Sequence, residues 1–225
     1  MKVLVRTYPW ESPKLYFSEF DIAEGEKVVV AGIQSNEIGI VEQTGIATKE
    51  EPQEKILRVA TERDRATFEE RQKAKEEYIK FCRKEIKRLA LGMKLVDAAE
   101  SLDGKQITFA FTADSRVDFR ELVKSVSLEF KKTVRMQQVG SRDEARKLGG
   151  YGICGRELCC VRFGGNMQSI TTDMARAQQM AHRGAERISG LCGRLMCCLA
   201  YEAEQYREML KGMPELWSSV KTSEG

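Results

Sequence analysis

The chain has 225 residues, 42% of them hydrophobic, enough to bury one large core or two modest ones, which excludes a disordered chain. Lys and Arg number 37 against 34 Asp and Glu, and the net charge of +3 offers no global basic field for nucleic acid, only local patches. The apolar run before Arg6 is too short for a signal-peptide core, and no later stretch approaches the roughly 18 apolar residues of a membrane helix, so a cytoplasmic chain without membrane insertion is expected.

Residues 1–50 carry short β runs separated by turn signals: MKVLVRTY, KLYFSEF, KVVVAG and IGIVEQT. Four or five such strands predict a small antiparallel barrel or sheet. Tyr8, Trp10, Tyr16 and Phe17 read as core or cross-strand aromatics rather than stacking faces for bases, which basic interleaving would have supported. Residues 51–92 are dense in charge, with apolar positions three or four apart from Phe68 onward, and read as a long amphipathic helix or connector. Cys82 falls in line with Phe68, Ile79, Ile86 and Leu89, so it is expected to pack as a small buried hydrophobe.

In residues 93–217, MKLVDAAESL and KQITFAFTA flank Asp103-Gly104 as a hairpin. A helix through FRELVKSVSLEFKK is expected to be capped by Asp114 or Ser115, and TVRMQQVG supplies a third strand. SRDEARKLGG reads as a short helix with Ser141 and Glu144 as a capping box, and a last helix follows from CCLAYEAEQYREMLKG. The expected fold class is α+β: an N-terminal small antiparallel β-barrel or sheet, a long charged helix, then a compact α/β unit carrying two cysteine motifs and a C-terminal helix, with a flexible tail at 218–225.

Residues 152–160 read GICGRELCC and residues 190–198 read GLCGRLMCC, which hold six of the seven cysteines; Cys154 to Cys192 and Cys159 to Cys197 are both 38 positions apart. In a reducing compartment, clustered cysteines more often bind metal or do redox chemistry than staple a fold. A helix starting near Cys197 and Cys198 is expected to lower their pKa through its dipole. Gly155 and Gly193 would let backbone N–H groups approach sulfur, and Arg156 and Arg194 set a cation beside each thiol set.

Three readings stay open on spacing alone. A zinc site on Cys154, Cys159, Cys192 and Cys197 leaves Cys160 and Cys198 without a task. One iron–sulfur cluster leaves two thiols over, whereas two clusters need eight ligands against six and point to ligands from a partner. Six buried free thiols are the third reading.

GGYGICGRELCC followed by ISGLCGRLMCCLAYE resembles the YaaT (RicT) family, most sharply over residues 107–202, and EGEKVVVAG, IGIVEQT and TADSRVDFRELVKSVSLEF fit the same family. The resemblance implies a polymerase-suppressor-type domain and a cytoplasmic bacterial factor that joins RicA-like and RicF-like proteins in a complex carrying one or two 4Fe-4S clusters. It places the ligands among Cys154, Cys159, Cys160, Cys192, Cys197 and Cys198. It also implies a specificity factor for RNase Y in mRNA maturation, with effects on sporulation, competence and biofilm formation.

The chain has no P-loop, no G-x-G-x-x-G after a strand, no H-E-x-x-H and no Cys-x-x-Cys, and its one histidine, His182, has no nucleophile signature around it. A non-enzymatic regulatory or adaptor subunit is expected. The alternative is a zinc-stabilised RNA-binding module without a redox role, with Arg156, Arg162, Arg183, Arg187 and Arg194 lining a phosphate-binding face.

Overall fold

Alternating apolar residues in the first 60 positions close into a five-stranded barrel in the computed structural model, which describes residues 1–32, 35–52, 54–163, 169–180, 182–214 and 218–221. Those residues group into two units, Met1–Gly149 and Gly150–Gly225. The fold class is α+β, as the sequence predicts.

In the first unit, strand β1 (Lys2–Arg6) pairs antiparallel with β2 (Lys14–Phe17) and with β4 (Asn36–Thr44). Strand β3 (Lys27–Ala31) pairs antiparallel with β4 and with β5 (Glu54–Val59), and a parallel pairing of β2 with β5 closes the barrel. Val3, Val5, Tyr16, Val28, Val30, Val41 and Ile56 fill its interior, each burial contributing about 1.5–3 kcal/mol. A side chain at Gly39 would collide with Val5, so this glycine lets β1 and β4 approach. Strand β5 lies within the segment expected to be helical: its charge masks a period of two in which Ile56 faces inward and Leu57 outward.

Helix α1 (Glu62–Arg88) starts at Thr61, whose hydroxyl accepts from the Asp64 N–H at 3.3 Å while the Asp64 carboxylate accepts from the Thr61 N–H at 2.9 Å. It packs on a sheet of β6 (Lys94–Glu100), β7 (Gln106–Thr112) and β8 (Thr133–Gln138), in which β6 and β7 form the expected hairpin and β7 and β8 run parallel. Tyr78, Cys82, Ile86, Ile107, Phe109, Leu122 and Val126 form this core, and Cys82 is fully buried, as its helical stripe predicts. Two carboxylates are buried beside it. Asp97 lies 2.7 Å from Lys75 Nζ and 3.3 Å from Lys147 Nζ, while Glu100 accepts from the Tyr78 hydroxyl at 2.6 Å and pairs with Arg71 and Lys132. Tyr8 and Trp10 are buried with their rings stacked 4.7 Å apart.

Two helix starts differ from expectation. Helix α2 (Arg120–Phe130) is not capped by Asp114 or Ser115; Asp118 accepts from the Arg120 N–H at 3.1 Å, because the helix begins later than its apolar period. Helix α3 (Ser141–Leu148) takes Ser141 as its first helical residue, and Asp143 rather than Glu144 reaches back to accept from the Gly140 N–H at 3.1 Å. Glu144 instead pairs with Lys94 at 2.5 Å.

The second unit holds α4 (Cys159–Arg162), α5 (Thr172–Ala177), α6 (Ala185–Ile188) and α7 (Cys198–Leu210). Its core is small: Met174, Ala175, Leu199, Ala200 and Ala203, flanked by Ile170, Met180, Leu195 and Met196. Gln178 is buried there and donates to the Leu199 carbonyl at 2.7 Å. Among the described residues no helix is long and apolar enough to cross a membrane. Of the tail expected at 218–225, residues 222–225 lie outside the described residues.

Two cysteine turns as the candidate functional site

The two cysteine motifs fold the same way. In the first, the Gly152 N–H donates to the Arg156 carbonyl at 2.8 Å, the Gly155 N–H to the Gly152 carbonyl at 3.0 Å, and the Leu158 N–H to the Gly150 carbonyl at 3.1 Å. In the second, the Gly190 N–H donates to the Arg194 carbonyl at 2.8 Å, the Gly193 N–H to the Gly190 carbonyl at 2.9 Å, and the Met196 N–H to the Ile188 carbonyl at 2.9 Å. Bridges between Tyr151 and Glu157 and between Ser189 and Leu195 complete the match. Each bond is thus repeated 38 residues on. Gly155 and Gly193 sit at φ +74° and +73°, a left-handed backbone that a side chain strains.

Each turn delivers its cysteines to equivalent places. Cys154 and Cys192 precede the left-handed glycine; Cys154 is exposed and Cys192 half-buried. Their sulfurs lie 3.5 Å and 3.8 Å from where a Cβ on Gly152 or Gly190 would stand, so these glycines leave each sulfur against bare backbone. Cys159 opens α4 and Cys197 stands at the start of α7, both half-buried. Cys160 is buried and Cys198 half-buried.

Electrostatics place Cys159, Cys197 and Cys198 in one neighbourhood with Tyr201. The Cys198 thiol is pushed up by burial, then by the Glu202 carboxylate and by Cys159, and these outweigh the backbone N–H groups at the start of α7. The lowering expected from the helix dipole is therefore reversed at Cys198. Burial, Cys159 and Cys197 likewise raise Tyr201. The donor chemistry fits a thiolate-ligated centre, but among the described residues no three His, Cys, Asp or Glu side chains converge where a metal ion would be held.

The repeat reaches further than the cysteines. Ile153 corresponds to Leu191, exposed at 73% and 65%, and Phe163 corresponds to Tyr201, their ring centroids 4.8 Å apart. Extending the offset of 38 past Cys160 is the signal that finds this aromatic pair. Arg156, Arg162, Arg183, Arg187 and Arg194 are all exposed, as is His182.

The PSP1 C-terminal conserved region matches residues 54–139, from β5 through β8, and the third domain of PSP1-like proteins matches residues 169–213, which contain the second cysteine turn. The stage 0 sporulation protein YaaT of Bacillus subtilis (strain 168) is 38% identical over 222 residues, covering 94% of this chain and 79% of that protein. No solved structure matches the chain.

Proposed function

The chain belongs to the YaaT family of PSP1-type proteins, and from that premise we propose that it is a regulatory adaptor, not an enzyme, whose two cysteine turns hold an iron–sulfur cluster of the 4Fe-4S type. In this reading it assembles in the cytoplasm with small RicA-like and RicF-like proteins and modulates RNase Y-dependent mRNA processing, with effects on sporulation, competence and biofilm formation. The observation that carries the reading is the repeated turn. Two segments with the same hydrogen bonds and the same left-handed glycine each present three cysteines at equivalent positions.

Cys154, Cys159, Cys160, Cys192, Cys197 and Cys198 are the candidate ligands, with Gly155 and Gly193 fixing the turns and Arg156 and Arg194 as cations beside them. A bound cluster supplies an oxidisable joint whose charge is spread over iron and sulfide. The chain's own part is to hold thiolates on two rigid turns and leave them open to a partner that completes the ligand set.

The test is iron, sulfide and zinc content with the visible spectrum after anaerobic purification, alone and with the two small partners. Iron and sulfide in matching amounts with broad absorption at about 400 nm are expected. Stoichiometric zinc without iron, even with partners present, would replace this reading by a zinc site on Cys154, Cys159, Cys192 and Cys197.

A further inference from the structure

We propose that the face carrying Arg162, Phe163 and Tyr201 binds single-stranded RNA, its bases stacking on the two rings and its phosphate on Arg162. This rests on the RNA-processing part of the function proposed above and assigns the contact to this chain itself.

The rings come from the two repeats, Phe163 from the end of α4 and Tyr201 from the first turn of α7. Their planes are tilted by 47°, and they remain 51% and 47% exposed after meeting each other. Neither ring is therefore fully covered by the pair, and exposed aromatic surface of this kind is what an unpaired base stacks on. The Arg162 guanidinium lies 6.0 Å from the Phe163 centroid, so a cation and a π-face stand side by side.

Among the described residues none of Arg156, Arg162, Arg183, Arg187 and Arg194 forms an ion pair, whereas Arg176 in the same unit is held by Asp173 at 2.7 Å. Arg156 and Arg194 occupy the same place in their two turns, each offering its carbonyl to a glycine N–H and its side chain to solvent. Two exposed rings with the Arg162 cation beside them describe a surface for single strands, because a paired duplex has no base face to offer.

The test is fluorescence anisotropy of the full chain with a labelled mixed-sequence RNA of about 12 nucleotides, single-stranded and as a duplex, over a salt series. The wild type is expected to prefer the single strand. Phe163→Ala should weaken it about tenfold, with Phe163→Tyr restoring binding. Arg162→Ala should lower the slope of log affinity against log salt by about 0.7, a readout that loss of a ring does not move. Iron, sulfide and partner assembly should stay at wild-type levels in Phe163→Ala, so that failure of the cluster reading and failure of the RNA reading are separately visible. No single-strand binding at low salt, or equal binding by wild type and Phe163→Ala, would overturn the inference. So would variants that keep RNA binding but lose the small partner proteins, which would make the face a protein-docking surface.

Discussion

Gly155 and Gly193, 38 positions apart, hold the same left-handed backbone at φ +74° and +73°, and nothing lies within 4 Å of a Cβ added to either. The cost of a side chain there is therefore conformational and not steric. Gly155→Ala and Gly193→Ala should each destabilise the protein by about 1 kcal/mol, and by similar amounts. Asn, which tolerates this region, should cost less than Ala. Urea unfolding of the four variants checks this. A large cost at one turn and none at the other would mean that the two turns are not equivalent in solution.

Much of this fold is legible in the sequence for a physical reason: a period of two marks β1 to β4, and a helical stripe marks Cys82 as core. Strand β5 is not, because Glu54, Lys55 and Arg58 dominate its composition and its parallel pairing with β2 is a long-range fact. The duplicated cysteines are legible as a repeat, yet the Phe163–Tyr201 pair is hidden because those two positions share only the offset, not the residue. The raised Cys198 thiol is also missed. Burial and a carboxylate one turn along α7 outweigh the helix dipole, and sequence position alone exposes only the dipole.

Glu37 gives the barrel unit a pH dependence. Burial holds its carboxyl above the ordinary carboxylate value, and the hydrogen bond from the Tyr8 hydroxyl at 2.5 Å offsets only part of this; Glu11 adds to the rise, while Arg135 and Lys14 oppose it. The folded protein thus binds this proton more tightly than the unfolded chain. Its stabilising effect is complete below the unfolded pKa of about 4.3 and is lost as pH rises through the folded value. Glu37→Gln keeps an acceptor for Tyr8 but removes the titration. Urea midpoints at about pH 4 and about pH 7 should show the variant gaining on the wild type as pH rises. A variant that loses ground at the higher pH would mean that the Glu37 carboxylate is stabilised by Arg135 more than burial opposes it.

Thiol reactivity separates the seven cysteines by their surroundings. Cys82 is fully buried, and burial pushes its thiol up to about 12, so it is the most inert. Cys154 is exposed and should react first, while Cys160, 5% exposed, should lag with Cys82. Cys198 should lag behind Cys154 because burial and Glu202 both disfavour its thiolate. Timed iodoacetamide labelling of the reduced, chelator-treated protein, read by peptide mass, gives the order directly. Glu202→Gln removes the nearby carboxylate and should speed Cys198 several-fold while leaving Cys154 and Cys82 unchanged. An unchanged Cys198 rate would mean that burial alone sets its reactivity; a uniform rise at every cysteine would mean that the second unit had opened and that Glu202 acts on its stability.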